Sequence, residues 1–441
     1  MKFYNREKEL AALEEIRQIS FSNHSQMTVL TGRRRIGKTS LVFKSCESTP
    51  TAYLFVSRSN EADLCYRFAT EIRQSLDTYV PDFTNFSEMF RFLMDLGKRM
   101  KYNLIIDEFQ EFYYINQEIY SLMQDIWDRY RKESYVNLIV SGSVYTLMNK
   151  IFRDAKEPLY GRADNIMKLF PFSTSVLKDI LADHNPKYAN DDLLALYTFT
   201  GGVPKYVELF MDRHCTNMES MVNFMLQPES PFLTEGQALL IQEFGKKYGN
   251  YFSILSAISN GKNTLAEMET AMGGASLGGQ LKRLEEDYDL IKKKRPIFSK
   301  ENSQSVRYEV TDLFLRFWFR YFIKYQSFIE IRNYDGLSKI IKNDYATFSG
   351  LALEIYFRQK MIESHDFAEI GSWWQGKNSK QQNEIDIVGL YADGKRALVA
   401  EVKRQSKNFK PDLFAQKVEA LRKKALFGYE IESRLLSMDD M

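Results

Sequence analysis

The sequence predicts an α/β fold in which helices flank a parallel sheet. Short apolar runs at residues 27–30, 52–56, 104–106 and 138–140 indicate buried strands, because strands covered on both faces are continuously apolar. Stretches of helical period separate these runs, which is the alternation typical of a parallel sheet. The chain has 441 residues, too many for one ordinary core, so we expect several domains.

The composition is that of a globular protein and excludes several classes. Hydrophobic residues make up 44% and charged residues 27%, and the formal net charge is only +2. Any nucleic-acid site must therefore be a local basic surface. No run approaches the ~20 apolar residues of a membrane helix, the first residues lack the apolar run of a signal peptide, and the three cysteines are scattered. These features predict a cytoplasmic protein without a membrane partner or a disulfide framework.

Changes of pattern divide the chain into three segments. Residues 1–232 carry the alternation of strands and helices. Residues 233–335 are helical, then basic and strand-like, and include an aromatic stretch at 314–322 that is more typical of a buried connecting helix than of a base-stacking platform. Residues 336–441 form a second α/β pattern, with a helix at 348–363, strands near 368–374, 384–391 and 397–402, and a helix at 411–424.

A phosphate-binding loop follows the first strand. Residues 32–39 have the pattern Gly-x4-Gly-Lys-Thr between a strand and a helix, which is the context that this motif requires. Gly32 and Gly37 let backbone N–H groups close around phosphates, Lys38 would neutralise the β- and γ-phosphates, and the Thr39 hydroxyl would bind Mg²⁺. The pattern therefore predicts a site for ATP and Mg²⁺, which also includes Arg33, Arg34, Arg35, Ile36 and Ser40.

Polar residues follow two further strands of the predicted sheet. Asp107 and Glu108 end the strand at 104–106. Asp107 suits magnesium binding, directly or through water, and Glu108 suits polarising the water that attacks the γ-phosphate. Ser141 follows the strand at 138–140 and could sense the γ-phosphate. A solvated acidic pair is the alternative for the two acids.

The middle segment predicts a winged helix-turn-helix. Helical patterns at 252–258, 265–268 and 277–284 precede a basic, strand-like run at 290–296. In this layout the helix at 277–286 would enter the major groove of double-stranded DNA, and the lysines of the run would contact phosphates. Packing on the ATPase or contact with a protein partner is the alternative.

Three acids and a lysine form a second candidate site near the C-terminus. Glu354 lies on a predicted helix, Asp386 inside a strand, and Glu401 and Lys403 at the end of the next strand. A turn at 392–395 predicts a hairpin that brings these strands together, and Glu401 and Lys403 share a face because they are two residues apart. Clustered carboxylates beside an ammonium can hold Mg²⁺ and orient water. Structural acids and lysines near strand ends are the alternative.

Together these motifs resemble the prokaryotic ATPases of the AAA+/STAND group that carry a winged helix and a C-terminal restriction-endonuclease-like domain. The resemblance rests on the phosphate-binding loop, the acids at 107–108 and Ser141, and on boxes at 3–7, 157–162 and 201–206. In the first box Asn5 stands where glycine is usual. The resemblance implies that Arg6 helps to hold the nucleotide, that Arg162 is an arginine finger acting in cis or in trans, and that Pro204 belongs to a lid over the nucleotide.

The C-terminal site is similar to the PD-(D/E)XK nuclease core. This resemblance implies that Asp386 and Glu401 bind the metal, that Lys403 is catalytic and that Glu354 assists at the metal, with Gln382 and Arg404 nearby. It also names the three segments. Residues 1–232 would be an AAA+-type P-loop ATPase with a helical lid, 233–335 a winged helix with an aromatic connecting helix, and 336–441 a nuclease-like domain.

We therefore expect an ATP-hydrolysing switch that binds double-stranded DNA, in a possible homo-oligomer. Its nuclease-like domain would either cleave DNA with Mg²⁺ or serve as a DNA-binding or regulatory module. The alternative is a STAND-type signalling scaffold, in which the winged helix contacts protein and the C-terminal domain is inert. Stimulation of the ATPase by duplex DNA would separate the two hypotheses.

Overall fold

The structure is a computed structural model that describes residues 1–245, 248–300, 302–375 and 383–441. The chain divides into two compact units. The smaller unit is Asn5–Phe170, and the larger unit joins Met1–Tyr4 to Pro171–Met441. Contacts within the chain thus place a boundary between units at residue 171, whereas the sequence predicted the first domain boundary at 232. The division into three segments remains a prediction.

The smaller unit alternates strands and helices as the sequence predicts. Its elements are α1 (Glu7–Ser22), β1 (Gln26–Thr31), α2 (Lys38–Cys46), β2 (Thr51–Phe55), α3 (Glu61–Leu76), α4 (Phe86–Leu96), β3 (Tyr102–Asp107), α5 (Phe112–Ile115), α6 (Glu118–Tyr130), β4 (Val136–Ser141), α7 (Tyr145–Arg153) and β5 (Asn165–Lys168).

Its five strands form one parallel sheet in the order β2-β3-β4-β1-β5. Every residue of β1, β3 and β4 is buried. Alternate residues of a strand point to opposite faces, and here Leu30, Ile105 and Ile139 pack on one side while Val29 and Leu104 pack on the other. Helices therefore cover both faces, and the carboxyl ends of β1, β3 and β4 meet at one edge. The α/β fold is confirmed.

The larger unit begins with helices and ends with a mixed sheet. Its elements are α8 (Thr174–His184), α9 (Asn190–Thr200), α10 (Pro204–Met211), α11 (Met218–Met225), α12 (Phe232–Phe244), α13 (Gly249–Ser259), α14 (Leu265–Ala271), α15 (Gly278–Glu286), β6 (Ile291–Lys294), β7 (Arg307–Val310), α16 (Leu313–Phe317), a π-helix (Trp318–Ile323), α17 (Gln326–Glu330), α18 (Tyr334–Ser364), β8 (Phe367–Trp374), β9 (Glu384–Tyr391), β10 (Arg396–Val402), α19 (Pro411–Lys424) and β11 (Glu430–Leu436).

One apolar core joins the parts of the larger unit. It extends from Phe172 to Met441 and includes residues of all three predicted segments. The rings of Phe199 and Phe317 lie 5.0 Å apart, and those of Phe317 and Phe348 lie 6.1 Å apart. The aromatic stretch at 314–322 is buried at the centre of this core, with Arg316 and Arg320 only partly exposed.

The C-terminal sheet has the order β11-β10-β9-β8. Strands β8, β9 and β10 are antiparallel, and β11 runs parallel to β10. The predicted hairpin joins β9 to β10, and Gly394 provides the positive φ of 69° at its turn. Among the described residues, no helix combines the length and apolarity needed to cross a membrane.

Candidate functional site

The phosphate-binding loop joins β1 to α2 at the carboxyl edge of the parallel sheet. Gly37 caps α2 with a φ of 88°, and Arg35 has a φ of 69°. Lys38 is buried, and its Nζ donates to the carbonyl oxygens of Gly32 at 2.8 Å and Arg33 at 3.1 Å. Ile36 is buried in the core beneath the loop. Arg33 and Arg34 are half-buried, whereas Arg35 and Ser40 are exposed. The loop therefore presents an ammonium and a helix amino terminus at one place.

Asp107 is the centre of a hydrogen-bonded group beside this loop. Thr39 Oγ1 donates to Asp107 Oδ2 at 3.0 Å, Tyr53 OH donates to the same oxygen at 2.8 Å, and Ser141 Oγ donates to Oδ1. Three predicted site residues, from α2, β3 and β4, thus meet as expected. Tyr53 was missed, because one tyrosine inside a strand carries no motif. Burial and the Asp107 carboxylate raise the pKa of Tyr53, which keeps its hydroxyl a donor.

Glu108 is held by two side chains that the sequence did not assign. Its backbone is left-handed, with a φ of 54°. Ser143 Oγ donates to both carboxylate oxygens at 2.7 and 3.0 Å, and Gln110 Nε2 donates to Oε2. Gly142 leaves the room for this arrangement, since a Cβ there would lie 2.4 Å from Gln110 Oε1. These contacts fix the direction in which the carboxylate points.

Arg6 connects the ends of the smaller unit. Its side chain is buried, and Nη2 donates to the carbonyl oxygens of Phe170 at 2.6 Å and Ile36 at 3.4 Å. Nη1 pairs with Glu9 at 2.9 Å. The guanidinium therefore supports the backbone of the phosphate-binding loop.

Arg162 and Pro204 lie in different units. Arg162 comes just before β5, where the Asp164 N–H donates to Met27 O near the start of β1. The Nη2 atom of Arg162 pairs with Asp128 at 3.1 Å. The six residues of β1, about 17 Å of strand, separate this edge of the sheet from the phosphate-binding loop. Pro204 begins α10 in the larger unit, after Gly202, whose φ is 76°.

Asp386, Glu401 and Lys403 meet at the ends of β9 and β10. Lys403 Nζ lies 2.9 Å from Glu401 Oε1 and 3.8 Å from Asp386 Oδ2, and the Val402 N–H donates to Asp386 Oδ2 at 2.7 Å. Lys417 of α19 contacts both oxygens of Glu401, at 3.1 and 3.0 Å. Lys417 was missed because a lysine on an amphipathic helix has no distinguishing spacing. Glu401 is therefore bound between two ammonium groups.

Glu354 faces this group from α18. Burial, and then the Asp386 carboxylate, raise the pKa of Glu354 to about 7. Burial also raises the pKa of Asp386, whereas it opposes the charged form of Lys403, whose pKa Glu401 and Asp386 nevertheless hold above its usual value. No three acids, histidines or cysteines within the described ranges are grouped to hold a metal ion.

Arg404 and Gln382 were predicted to lie near this site. The Arg404 guanidinium donates hydrogen bonds to the Ser349 hydroxyl and to the carboxylate of Asp191 in α9, the latter at 2.7 Å. Gln382 lies outside the described residues.

The middle segment has three helices, α13 to α15, followed by the β6–β7 hairpin. Lys282 pairs with Glu286 at 3.7 Å, and Glu285 Oε1 accepts the Lys293 N–H at 3.1 Å. Lys292 and Arg295 are exposed, but the Lys294 side chain is only 18% exposed and pairs with Glu309. Lys294 is therefore not on the surface that the basic run was predicted to present to DNA.

The parallel sheet, the loop with Lys38 and the acids at the end of β3 define a P-loop ATPase. Residues 3–210 match the family described as an ATPase domain predominantly from Archaea. Residues 318–414 match one described as "Archaea bacterial proteins of unknown function".

Similarity to individual proteins extends over most of the chain. The chain is 30% identical over 419 residues to the "Uncharacterized protein MJECL04" of Methanocaldococcus jannaschii, which covers 91% of this chain and 87% of that protein. The chain belongs to the family of this Methanocaldococcus protein, and it is an ATPase. A Walker-type ATPase of Pyrococcus abyssi, PABY2304, has a similar fold, with a TM-score of 0.55, 20% identity, and coverage of 72% of this chain and 96% of that one.

Proposed function

We propose that the protein is an ATP-driven switch that couples nucleotide hydrolysis to the handling of double-stranded DNA. The observation that carries the nucleotide half is the group formed by Thr39, Asp107 and Ser141 beside the phosphate-binding loop. The hydroxyl and carboxylate oxygens of Thr39 and Asp107 fit Mg²⁺, which prefers oxygen ligands. When bound, this ion offsets negative charge on the β- and γ-phosphates.

In this proposal each residue of the smaller unit has one task. Lys38 exchanges its loop carbonyls for phosphate oxygens, while Arg6 supports the loop from behind. Glu108 accepts the proton of the water that attacks the γ-phosphorus, the bond from that phosphorus to the bridging oxygen breaks, and ADP and phosphate leave. Ser141 contacts the γ-phosphate. The remaining loop residues, Arg33, Arg34, Arg35, Ile36 and Ser40, enclose the nucleotide.

Lys38→Ala tests the nucleotide site. We expect ATP turnover to fall by about two to three orders of magnitude, because the variant lacks the buried positive charge of Lys38 that stabilises the transferred phosphoryl group. Lys44→Ala is the matched control, because Lys44 lies on the same helix but pairs with Glu47 at the surface. Unchanged turnover in Lys38→Ala would remove this loop from the active site.

We propose that Arg162 acts on the nucleotide of a second copy. Its place at the amino-terminal edge of the sheet separates it from its own phosphate-binding loop by the length of β1, so it can serve only a neighbouring subunit. Arg162→Ala and Lys38→Ala should each be inactive, whereas a mixture should regain a fraction of the wild-type turnover, because mixed assemblies contain some sites with both residues intact. A mixture as inactive as its components would contradict this role.

The DNA half of the proposal rests on α13 to α15, the β6–β7 hairpin and the acids of the C-terminal sheet. Helix α15 exposes Lys282, and the hairpin exposes Lys292 and Arg295, which supports a winged helix that contacts phosphates. A steady-state ATPase assay with and without duplex DNA tests this contact. A higher rate with DNA supports it, and a rate indifferent to DNA favours the scaffold.

Cleavage is proposed for the group of Asp386, Glu401, Lys403 and Glu354. Asp386 and Glu401 supply carboxylate oxygens that suit Mg²⁺, and Lys403 is close enough to both to hold water or stabilise charge at phosphorus. A plasmid incubated with magnesium, with and without ATP, should be cut by the wild type and not by Asp386→Ala, whose ATPase should be intact. Cleavage that persists in Asp386→Ala would exclude Asp386.

The second candidate function is the signalling scaffold with an inert C-terminal domain. The observation that favours it is the pairing of Glu401 with two lysines, because both of its oxygens already have cationic partners. Failure of the wild type to cut any plasmid form, with a DNA-independent ATPase, would establish this alternative.

A further inference from the structure

A small cavity lies inside the larger unit, and it shares one wall residue, Glu354, with the proposed cleavage group. Its volume is about 150 Å³, and its walls come from α13, the β6–β7 hairpin, α16, α18 and the edge of the C-terminal sheet. The space accommodates several water molecules or one tetrahedral oxyanion. Its polar lining includes Ser259, Lys294, Arg307, Arg316 and Glu354.

Two of the cations at this cavity are already neutralised. Lys294 contacts Glu309. Arg307 makes a bidentate pair with Glu384, at 2.6 and 3.1 Å. The charges that remain are those of Arg316 and Glu354 on the wall, and of Arg358 beside them.

Arg316 lines this cavity and has a buried hydrogen-bond donor without an acceptor among the described residues. Its guanidinium carbon lies 4.5 Å from the centroid of the Phe348 ring, so one face of the guanidinium is covered and its edges remain for hydrogen bonds. Within the described ranges, the buried Nη1 atom of Arg316 has no hydrogen-bond partner, and neither has the buried hydroxyl of Ser259, which also lines the cavity. Buried donors without acceptors are costly unless something accepts from them.

Arg358 adds a second cation that lacks full compensation. Its Nη2 lies 3.9 Å from Glu309, beyond hydrogen-bonding distance, and has no acceptor in the part of the chain that the structure describes. Glu354 and Asp386 offset part of its charge. Arg358 therefore places a second guanidinium beside the cavity.

We propose that this cavity binds a phosphate group, with Arg316 and Ser259 as its donors and Arg358 as a second counter-charge. A guanidinium edge matches the oxygens of a phosphate in pairs, and a tetrahedral oxyanion offers acceptors in several directions at once. The group is either free phosphate or the terminal phosphate of a nucleic acid. Binding of a phosphate here requires neither ATP hydrolysis nor DNA cleavage, although the cavity shares Glu354 with the proposed cleavage group.

The test uses full-length Lys38→Ala protein, so that the phosphate-binding loop contributes little to binding. Inorganic phosphate is titrated at constant ionic strength by calorimetry and by tryptophan fluorescence, since Trp374 lines the cavity. We expect one site, and Arg316→Gln should weaken it by at least about tenfold, the effect of losing a hydrogen bond to a charged group. Arg320→Gln is the matched control, because Arg320 lies one turn further along and pairs with Asp344 instead.

Ser259→Ala is the second variant, since it removes one hydroxyl and leaves the fold intact if Arg316→Gln does not fold. It should weaken phosphate binding severalfold. Absence of phosphate binding in Lys38→Ala protein would overturn the proposal and leave a cavity filled by water only. Phosphate affinities of the Ser259→Ala and Arg316→Gln variants that equal the affinity of the protein without these changes would also overturn it.

The two sources of the phosphate are distinguished with oligonucleotides. Duplexes of one sequence carry either a 5′-phosphate or a 5′-hydroxyl and compete with inorganic phosphate. Displacement by the phosphorylated duplex alone identifies a nucleic-acid end as the ligand. Displacement by neither identifies the free anion, and displacement by both equally contradicts recognition of a terminal phosphate.

Discussion

The two units each contain a carboxylate site, and the sites differ in their donors. In the smaller unit Asp107 accepts from the hydroxyls of Thr39, Tyr53 and Ser141. In the larger unit Glu401 is paired with the ammonium groups of Lys403 and Lys417. Hydroxyls leave the charge of a carboxylate uncompensated and can themselves bind a cation, whereas ammonium groups cancel that charge. Asp107 therefore keeps a charge that suits the cation of the proposed function, whereas the charge of Glu401 is already balanced by the chain itself.

Glu108→Gln gives the largest effect that we expect from either site. The amide cannot accept the proton of the attacking water, so kcat for ATP should fall by about 10²- to 10⁴-fold, while the Kd for ATP changes little. Rapid-quench turnover and nucleotide titration measure the two quantities. Glu118→Gln is the control, since Glu118 is an exposed acid in the first turn of α6. A loss confined to binding would show that Glu108 is not the base.

Glu354→Gln tests whether burial of the Glu354 carboxyl makes the stability of the protein depend on pH. The pKa of Glu354 rises from 4.5 to about 7 in the folded chain, so the folded state binds a proton that the unfolded state has released. The free energy of unfolding must therefore fall as pH rises from about 4.5 to about 7, by at most about 3 kcal/mol. In EDTA, Glu354→Gln should flatten this part of the pH profile. An unchanged profile would contradict the burial of an ionisable Glu354.

Glu401→Ala and Asp107→Ala compare the two sets of donors directly. Glu401→Ala leaves the Lys417 ammonium unpaired and Lys403 with only Asp386, at 3.8 Å, and should cost about 2–3 kcal/mol of unfolding free energy. Asp107→Ala leaves three hydroxyls and the Glu108 N–H without this acceptor, but no unpaired ammonium group, and should cost about 1 kcal/mol. Urea unfolding measures both. Equal losses would mean that the donors do not set the difference between the sites.

Arg162→Ala should have the smallest effect on stability. Its pair with Asp128 is partly exposed on both sides, and such pairs contribute about 0–0.5 kcal/mol. A larger change in the urea midpoint would show that Arg162 is structural, which would also weaken its proposed role at a neighbouring nucleotide.

The sequence predicted the parts of the fold in which local pattern and tertiary environment agree. The strands before Gly32, Asp107 and Ser141 are buried on both faces, so their apolar runs identify them without further context. Strand β5 was missed because it lies at the sheet edge and only one of its apolar positions points inward. Its four residues have no distinctive period.

Side-chain partners from distant parts of the chain were not predictable. Tyr53 and Lys417 reach their carboxylates from elements that carry no motif, and no spacing connects them with Asp107 or Glu401. Lys294 belongs to a basic run that favours solvent, yet the packing of the hairpin on α18 turns it inward. The boundary at 171 depends on a core shared by Phe172 and residues up to 441, which no local pattern reveals.

The contact of Arg6 with Phe170 has a consequence for how the chain folds. Residues 5–170 are an insertion in the larger unit, and this hydrogen bond fastens the two ends of the insertion to each other. The smaller unit can therefore close as soon as Phe170 leaves the ribosome. Lys2 and Tyr4, in contrast, contact Asp183, which is synthesised later. The core on which Tyr4 packs is completed only by the last residues of the chain. Synthesis from the amino terminus thus completes the chain of the smaller unit before that of the larger unit.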